Sequence, residues 1–210
     1  MTIDLSQIRE RIDCLDQGFP GDAADKFAAL LGELDKWNRK VNLTAIRDSG
    51  EMITGHLLDS LVARPFLEGE SVLDVGTGAG FPGLPLAIVE PERQFVLVDS
   101  NNKKVQFIQH VVGLLGLDNV TALKARTEDY APGDRFDTVV ARAVAALPRL
   151  LEIAGHHVGE DGVFVALKGR YPAEELEQSP AGWDYTVTEL SVPGLVSGSR
   201  HAVLMRRVKE

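Results

Sequence analysis

Residues 71–83 read Ser-Val-Leu-Asp-Val-Gly-Thr-Gly-Ala-Gly-Phe-Pro-Gly, and no other stretch restricts the fold of this chain as much. Val72, Leu73 and Val75 form a short apolar run of the kind that becomes a buried strand. Gly76, Gly78 and Gly80 then turn the backbone, and Pro82 suits the first turn of a helix reaching about Glu90. A strand, a glycine turn and a helix open a doubly wound α/β sheet, whose ligands rest at the carboxyl ends of the strands. Glycine fits such a turn because a Cβ would strike a ligand lying on the backbone and would penalise positive φ.

Two ligands compete for this turn. Gly78, Gly80 and Gly83 satisfy the G-x-G-x-x-G spacing of dinucleotide folds. Counted from Asp74, the same residues read D-x-G-x-G-x-G, which resembles the S-adenosylmethionine loop of Rossmann-like methyltransferases. The next strand ends at Asp99, an acid placed to accept from ribose hydroxyls, and both ligands carry that ribose.

The order of the remaining elements separates them. Strands are predicted at 72–75, 95–98, 120–124, 137–141 and 163–168, with helices at 82–90, 103–115 and 148–156. Runs at 185–192 and 201–207 then alternate apolar and polar residues, as antiparallel edge strands do. Five parallel strands closed by an antiparallel pair is the methyltransferase order, whereas dinucleotide domains continue in parallel. The predicted fold is therefore α/β, similar to Rossmann-like class I S-adenosylmethionine-dependent methyltransferases, with a seven-stranded sheet over 68–210. Residues 1–67 form an N-terminal helical extension packed with it as one globular unit. Its clearest helix, 22–41, repeats Phe27, Leu30, Leu31, Leu34, Trp37 and Val41 at helical spacing, a stripe expected to pack on the sheet.

Composition removes several function classes. No apolar run approaches the ~20 residues of a membrane span, and the first residues lack the pattern of a secretory signal. Cys14 is the only cysteine, which leaves no disulfide within the chain and no cysteine zinc site, and a cytoplasmic setting is expected. His56 lacks a second histidine or acid at ligand spacing, so it is expected to be a hydrogen-bonded structural residue and no metal is assigned. A net charge of -9 argues against a broad electrostatic coat on nucleic acid and leaves room for a local basic patch. There is neither a G-x-S-x-G elbow nor a phosphate-cradling G-x-x-x-x-G-K-[ST] loop. The fourth strand ends in Ala141-Arg142-Ala143-Val144, with no Asn/Asp-Pro-Pro-Tyr clamp for exocyclic amines.

The strand ends carry the polar residues. Arg126, Thr127 and Glu128 follow the third strand, Arg142 ends the fourth, and Lys168-Gly169 ends the fifth. With Asn42-Leu43-Thr44-Ala45-Ile46, His56-Leu57-Leu58-Asp59-Ser60-Leu61, Asp74 to Gly83, Arg142-Ala143 and Ala166-Leu167-Lys168-Gly169 in one order, the chain resembles the ribosomal small-subunit methyltransferase G family, also called glucose-inhibited division protein B. The resemblance covers about residues 22–207. It implies methyl transfer from S-adenosylmethionine to N7 of one guanosine in the decoding-region loop of 16S rRNA, within the small ribosomal subunit or an assembly intermediate. It also implies cofactor contacts at Gly76, Gly78, Phe81, Asp99, Thr127, Glu128 and Arg142. Arg142, Lys168 and Asn42 then fall near the methyl group and Lys103 and Arg126 near the RNA, where the basic run of the last strand adds Arg200. A nicotinamide oxidoreductase, a methyltransferase acting on small molecules or proteins, and an RNA-binding module remain as alternatives. The last two have no need, respectively, for the basic run Arg200, Arg206, Arg207 and Lys209 or for the glycine loop.

Overall fold

The computed structural model describes residues 3–209. Before the sheet come α1 (Leu5–Asp13), α2 (Ala23–Val41), α3 (Ser49–Met52) and α4 (Asp59–Leu61), with a π-helical turn at Ile53–Leu58 joining α3 to α4. Then follow β1 (Ser71–Val75), α5 (Gly83–Val89), β2 (Gln94–Asp99), α6 (Asn102–Leu115), β3 (Val120–Lys124), β4 (Phe136–Arg142), α7 (Leu147–Ala154), β5 (Val158–Lys168), α8 (Ala173–Glu177), β6 (Trp183–Leu190) and β7 (Arg200–Arg207). Local chemistry sets several ends. Asp4 caps α1 by accepting from the Ser6 N–H, Asn101 caps α6 by accepting from Lys103, and Gly116 closes α6 in the left-handed region.

The strand order is β3-β2-β1-β4-β5-β7-β6. Strands β1 to β5 are parallel, and β7 runs antiparallel to both β5 and β6. After β1 the chain builds outward through β2 and β3, then crosses back to place β4 on the other side of β1. The loops leaving β1 and β4 therefore diverge at their carboxyl ends and open a crevice there. The five β1–β5 strands are apolar because helices cover both faces: Leu73, Val75, Val139, Val140, Phe164 and Val165 are fully buried.

The stripe on α2 buries Phe27, Leu30, Leu31 and Leu34 as expected, but against other partners. Its principal neighbours are α1, α5 and α6, and Trp37 meets Phe107 of α6 edge-on at 5.7 Å. Thus α2 lies over the helices that cover the sheet, not on the strands. Its core is nevertheless continuous with sheet residues Phe95 and Leu97.

Strand β6 lies two residues earlier than expected, strand β5 starts earlier still, and helix α8 was not expected. Strand β5 begins at Val158 and pairs with Phe136, then the register shifts so that Val163 pairs with Thr138. The Asp161-Gly162 pair belongs to this irregularity, where a Cβ on Gly162 would lie 2.8 Å from the Asp137 carbonyl oxygen. Close backbone approach explains the glycine. Helix α8 is too short to show a period, and it escaped the sequence pattern. Among the described residues no helix is long and apolar enough to cross a membrane.

Candidate active site

The crevice between β1 and β4 is a cleft of about 520 Å³. Its floor is the glycine turn from Gly76 to Ala79. One wall is the segment Ala141 to Ala145, with Lys168 and Gly169 beyond it. The opposite wall comes from the helical region through Leu43, Thr44, Gly55, His56 and Asp59, and Arg200 reaches in from β7.

Two aspartates hold the turn. Asp74 is fully buried; its Oδ2 accepts from Thr77 Oγ1 at 2.6 Å and from the Gly83 N–H at 2.8 Å, while Oδ1 has no partner among the described residues. Asp99 accepts from the Gly78 N–H at 2.9 Å and from the Asn101 N–H at 2.8 Å. The glycines divide by role. A Cβ on Gly80 would come within 2.4 Å of Leu84, one on Gly83 within 2.7 Å of Asp74 Oδ2, and one on Gly76 within 2.8 Å of Val144. Those three are demanded by internal packing. At Gly78, with φ of +64°, the nearest atom to an added Cβ is Lys104 Nζ at 3.9 Å, so this glycine is the one that leaves backbone bare to the cleft. Ligand clearance, expected for the whole turn, applies chiefly at Gly78.

Arg142 ends β4 inside the cleft. Its Nη1 donates to the Gly55 carbonyl and to Asp59 Oδ2, each at 2.9 Å, and its Nη2 faces His56 Nδ1 at 3.5 Å. Asp59 uses its other oxygen to accept from Arg200 Nε at 2.6 Å. His56 stacks on Phe81 with centroids 4.8 Å apart, and its Nε2 lies 2.8 Å from Thr44 Oγ1. Because a guanidinium only donates, Nδ1 is the acceptor and Nε2 carries the hydrogen. Lys168 Nζ donates to the Ala145 carbonyl at 2.8 Å and to Glu175 Oε2 at 2.7 Å, and Glu175 also accepts from the Leu147 N–H. Lys168 thus ties the β5 end, the wall at Ala145 and α8 together.

Burial sets two pKa values in opposite directions. It raises the Asp74 carboxyl from 3.8 to about 7, against the pull of the Thr77 and Gly83 hydrogen bonds. It lowers His56 from 6.5 to about 4, with the charge of Arg142 adding to the effect. A carboxyl that binds its proton more tightly in the fold stabilises fully below about pH 4 and loses that contribution, about 4 kcal/mol, as pH rises through about 7. The histidine does the reverse: from about pH 6.5 down to about 4 the unfolded chain takes a proton that the fold refuses, at a cost of about 3 kcal/mol. Relative to the unaltered chain, His56→Gln is therefore expected to gain stability as pH falls from 6.5 to 4.5, and Asp74→Asn to lose it. Urea midpoints at each pH check this; profiles parallel to the unaltered chain would contradict it.

Of the residues proposed for the site, Gly76, Gly78, Phe81, Arg142, Lys168 and Arg200 line the cleft. Asn42 does not: it is exposed, closes α2 at φ of +47°, and accepts from Arg47, while its neighbours Leu43 and Thr44 face the cleft. Asp99, Thr127 and Glu128 lie to one side, at the carboxyl ends of β2 and β3. The Thr127 carbonyl accepts from buried His157 Nε2 at 3.0 Å, and exposed Glu128 is 3.9 Å from Arg149. Lys103 and Arg126 are exposed on the same edge. The rest of the basic tail is elsewhere. Antiparallel β7 carries Arg206 and Arg207 to the far end of the sheet, where Arg206 pairs with Glu68 and Arg207 donates to the Gly155 carbonyl; Lys209 pairs with Asp161. Only Arg200 of that run reaches the cleft.

His56 is the hydrogen-bonded residue expected, here on the cleft wall, whereas sequence reasoning missed Asp59 as a site residue. The stretch His56-Leu57-Leu58-Asp59 reads as an ordinary helix, and the π-helical turn that aims these side chains is invisible to apolar spacing.

Comparison with known proteins agrees with this architecture. A family model described as rRNA small subunit methyltransferase G matches residues 23–203. A Ribosomal RNA small subunit methyltransferase G from Vibrio campbellii is 43% identical over 97% of this chain and 99% of its own length. That from Idiomarina loihiensis is 48% identical over 85% and 87%. Among solved structures, a SAM dependent methyltransferase from Aquifex aeolicus aligns with a TM-score of 0.58 at 21% identity, covering 78% of this chain and 96% of that one. The tRNA (m1A58) methyltransferase from the same organism gives 0.60 at 17% identity, covering 73% and 69%. At these identities the structures show the Rossmann-like methyltransferase fold alone, and it is the sequence relatives and the family model that establish that this chain belongs to the ribosomal RNA small subunit methyltransferase G family.

Proposed function

We propose that this protein transfers the methyl group of S-adenosylmethionine to N7 of a guanosine in 16S rRNA of the small ribosomal subunit. The cofactor fits the residues present. Gly78 offers bare backbone, and Asp99 has acceptor capacity beyond its two backbone bonds for ribose hydroxyls. S-adenosylmethionine supplies an electrophilic sulfonium methyl. Thr127, Glu128 and Phe81 would hold its adenosine side, and Arg142 would stand beside its methyl group.

One observation supports N7 over nitrogens that carry a proton. Among the described residues lining the cleft, no side chain is placed to remove a proton. Asp59 is the sole lining carboxylate and is committed to two arginines. His56 spends Nδ1 on Arg142, and with a pKa near 4 it is a poor base at neutral pH. Guanine N7 has a free lone pair and carries no hydrogen, so in-line attack on a sulfonium methyl needs orientation and proximity only. Phe81, His56 and the Ala141 to Ala145 wall would orient the base, and the Lys168 hydrogen bond fixes the wall. A splayed or flipped guanosine would present N7 to this cleft.

With cofactor saturating, the single-turnover rate of methyl transfer to small subunits is expected to change less than about threefold from about pH 7.5 to 8.5, above the pKa of Asp74 and His56. A rate rising in proportion to hydroxide would mean that a base is titrating and would reject the N7 assignment.

A further inference from the structure

We propose that Asp59 is a positioning residue that joins Arg142 and Arg200 into one anion-binding pair, and that this pair takes a phosphodiester of the RNA strand beside the target base. The proposal rests on the function proposed above.

Asp59 is 8% exposed and sits where three distant parts of the chain meet. Oδ2 accepts from Arg142 of β4 and Oδ1 from Arg200 of β7, so each oxygen is committed to one guanidinium. Two guanidinium groups this close would repel each other; a single carboxylate between them fixes their spacing and leaves one net positive charge. The π-helical turn completes the arrangement. The Asp59 N–H bonds to the Thr54 carbonyl, five residues back, which frees the Gly55 carbonyl to accept from Arg142. A regular α-helix would consume that carbonyl in its own ladder.

Neither guanidinium is exhausted. A guanidinium has five N–H donors. Arg200 spends Nε on Asp59 and Nη1 on the Ser199 carbonyl, and its Nη2 makes no hydrogen bond among the described residues. Gly169 and Gly198 flank it: a Cβ on either would lie 3.9 or 3.7 Å from Nη1. The charges lining the cleft favour an anion, with Lys104, Arg142, Lys168 and Arg200 against Asp59, in a chain whose net charge is -9. Lys168 and Lys104 are partly neutralised by Glu175 and, at 3.8 Å, by Asp99. The surplus is thus concentrated at the arginine pair. Planar forks of this kind match the geometry of a phosphodiester.

Asp59→Asn, Arg200→Gln and the double variant test the pair. For each, thermal melting, calorimetry with S-adenosylhomocysteine, and kcat and KM for methylation of small subunits at several salt concentrations are measured. Asp59→Asn makes the cleft one unit more positive, so a residue that merely tuned charge would tighten RNA binding when replaced. A positioning residue does the opposite. Asp59→Asn is expected to raise KM for small subunits at least tenfold and to leave affinity for S-adenosylhomocysteine within twofold. The double variant is expected to lose no more than about threefold beyond either single one, because both act through one pair. A KM within twofold of the unaltered enzyme, or independent losses that multiply in the double variant, would overturn the proposal. A tenfold loss of S-adenosylhomocysteine affinity would do so too, by assigning the pair to the carboxylate of the cofactor's methionine part. If Asp59→Asn does not fold, Arg200→Gln decides: a tenfold rise in KM with unchanged cofactor affinity supports the pair, and a twofold change or less rejects it. Absence of RNA methylation by the unaltered enzyme would instead count against the function proposed above.

Discussion

Arg142→Ala is expected to lower the rate of methyl transfer by about a hundredfold or more, the scale seen when a preorganised donor is removed from a reacting centre. The residue ends β4 at the switch point of the sheet and holds Gly55, Asp59 and His56 in register through a single guanidinium. The variant also leaves the Asp59 carboxylate, 8% exposed, with Arg200 as its remaining charged partner, so stability should fall by about 2 kcal/mol. This differs from a solvent-facing strand end, where alanine would be neutral. Lysine is expected to rescue poorly, because its ammonium can replace Nη1 on the Gly55 carbonyl and Asp59 but supplies no second nitrogen of a planar fork to face His56. Single-turnover kinetics and urea unfolding measure the two losses separately, and turnover equal to the unaltered enzyme would remove Arg142 from the chemistry.

Asp99→Ala carries the second large effect. The carboxylate has two duties: it accepts from the Gly78 and Asn101 N–H groups, and its remaining lone pairs suit ribose hydroxyls. Removing it frees the one glycine whose backbone is open to the cleft. Affinity for S-adenosylhomocysteine is expected to fall by about 1.5–3 kcal/mol or more, the range for hydrogen bonds to a charged group. Asp99→Asn keeps one acceptor and should lose less. Calorimetry reads both, and unchanged affinity in the alanine variant would refute the ribose assignment.

What the sequence made legible follows from period and position. β1 to β4 fell within a residue or two of their predicted bounds; β1 and β4, buried on both faces, are near-continuous apolar runs, while β3 at the sheet edge alternates buried and exposed residues. The end of α6 was readable from Gly116, whose φ is +62°. Strand β7 was readable as antiparallel, but it is an interior strand between β5 and β6 and not the expected edge, and the fate of its arginines was not readable. Alternation says which face a residue takes, whereas strand direction decides that Arg200 reaches the cleft and Arg206 meets Glu68 at the other end. Lys168 was recognised as a strand-end cation, yet its partner Glu175 lies on α8, too short to have a period. Asp59 was hidden for a further reason: its role depends on a π-helical turn and on partners 83 and 141 residues away. The glycine turn was right in place and only partly right in cause. Gly76, Gly80 and Gly83 make room for Val144, Leu84 and Asp74, so three of the four serve the fold before they serve a ligand.

The central claim, methylation of guanine N7 in small-subunit RNA by a cleft without a general base, meets its most direct test in the product. Small subunits lacking the modification would be incubated with the enzyme and methyl-labelled S-adenosylmethionine, the RNA digested to nucleosides, and the label identified by chromatography and mass. The expected result is a single labelled nucleoside, 7-methylguanosine, at one site in 16S rRNA. Label in 1-methylguanosine, N2-methylguanosine or N6-methyladenosine, each formed at a nitrogen that must lose a proton, would contradict the account.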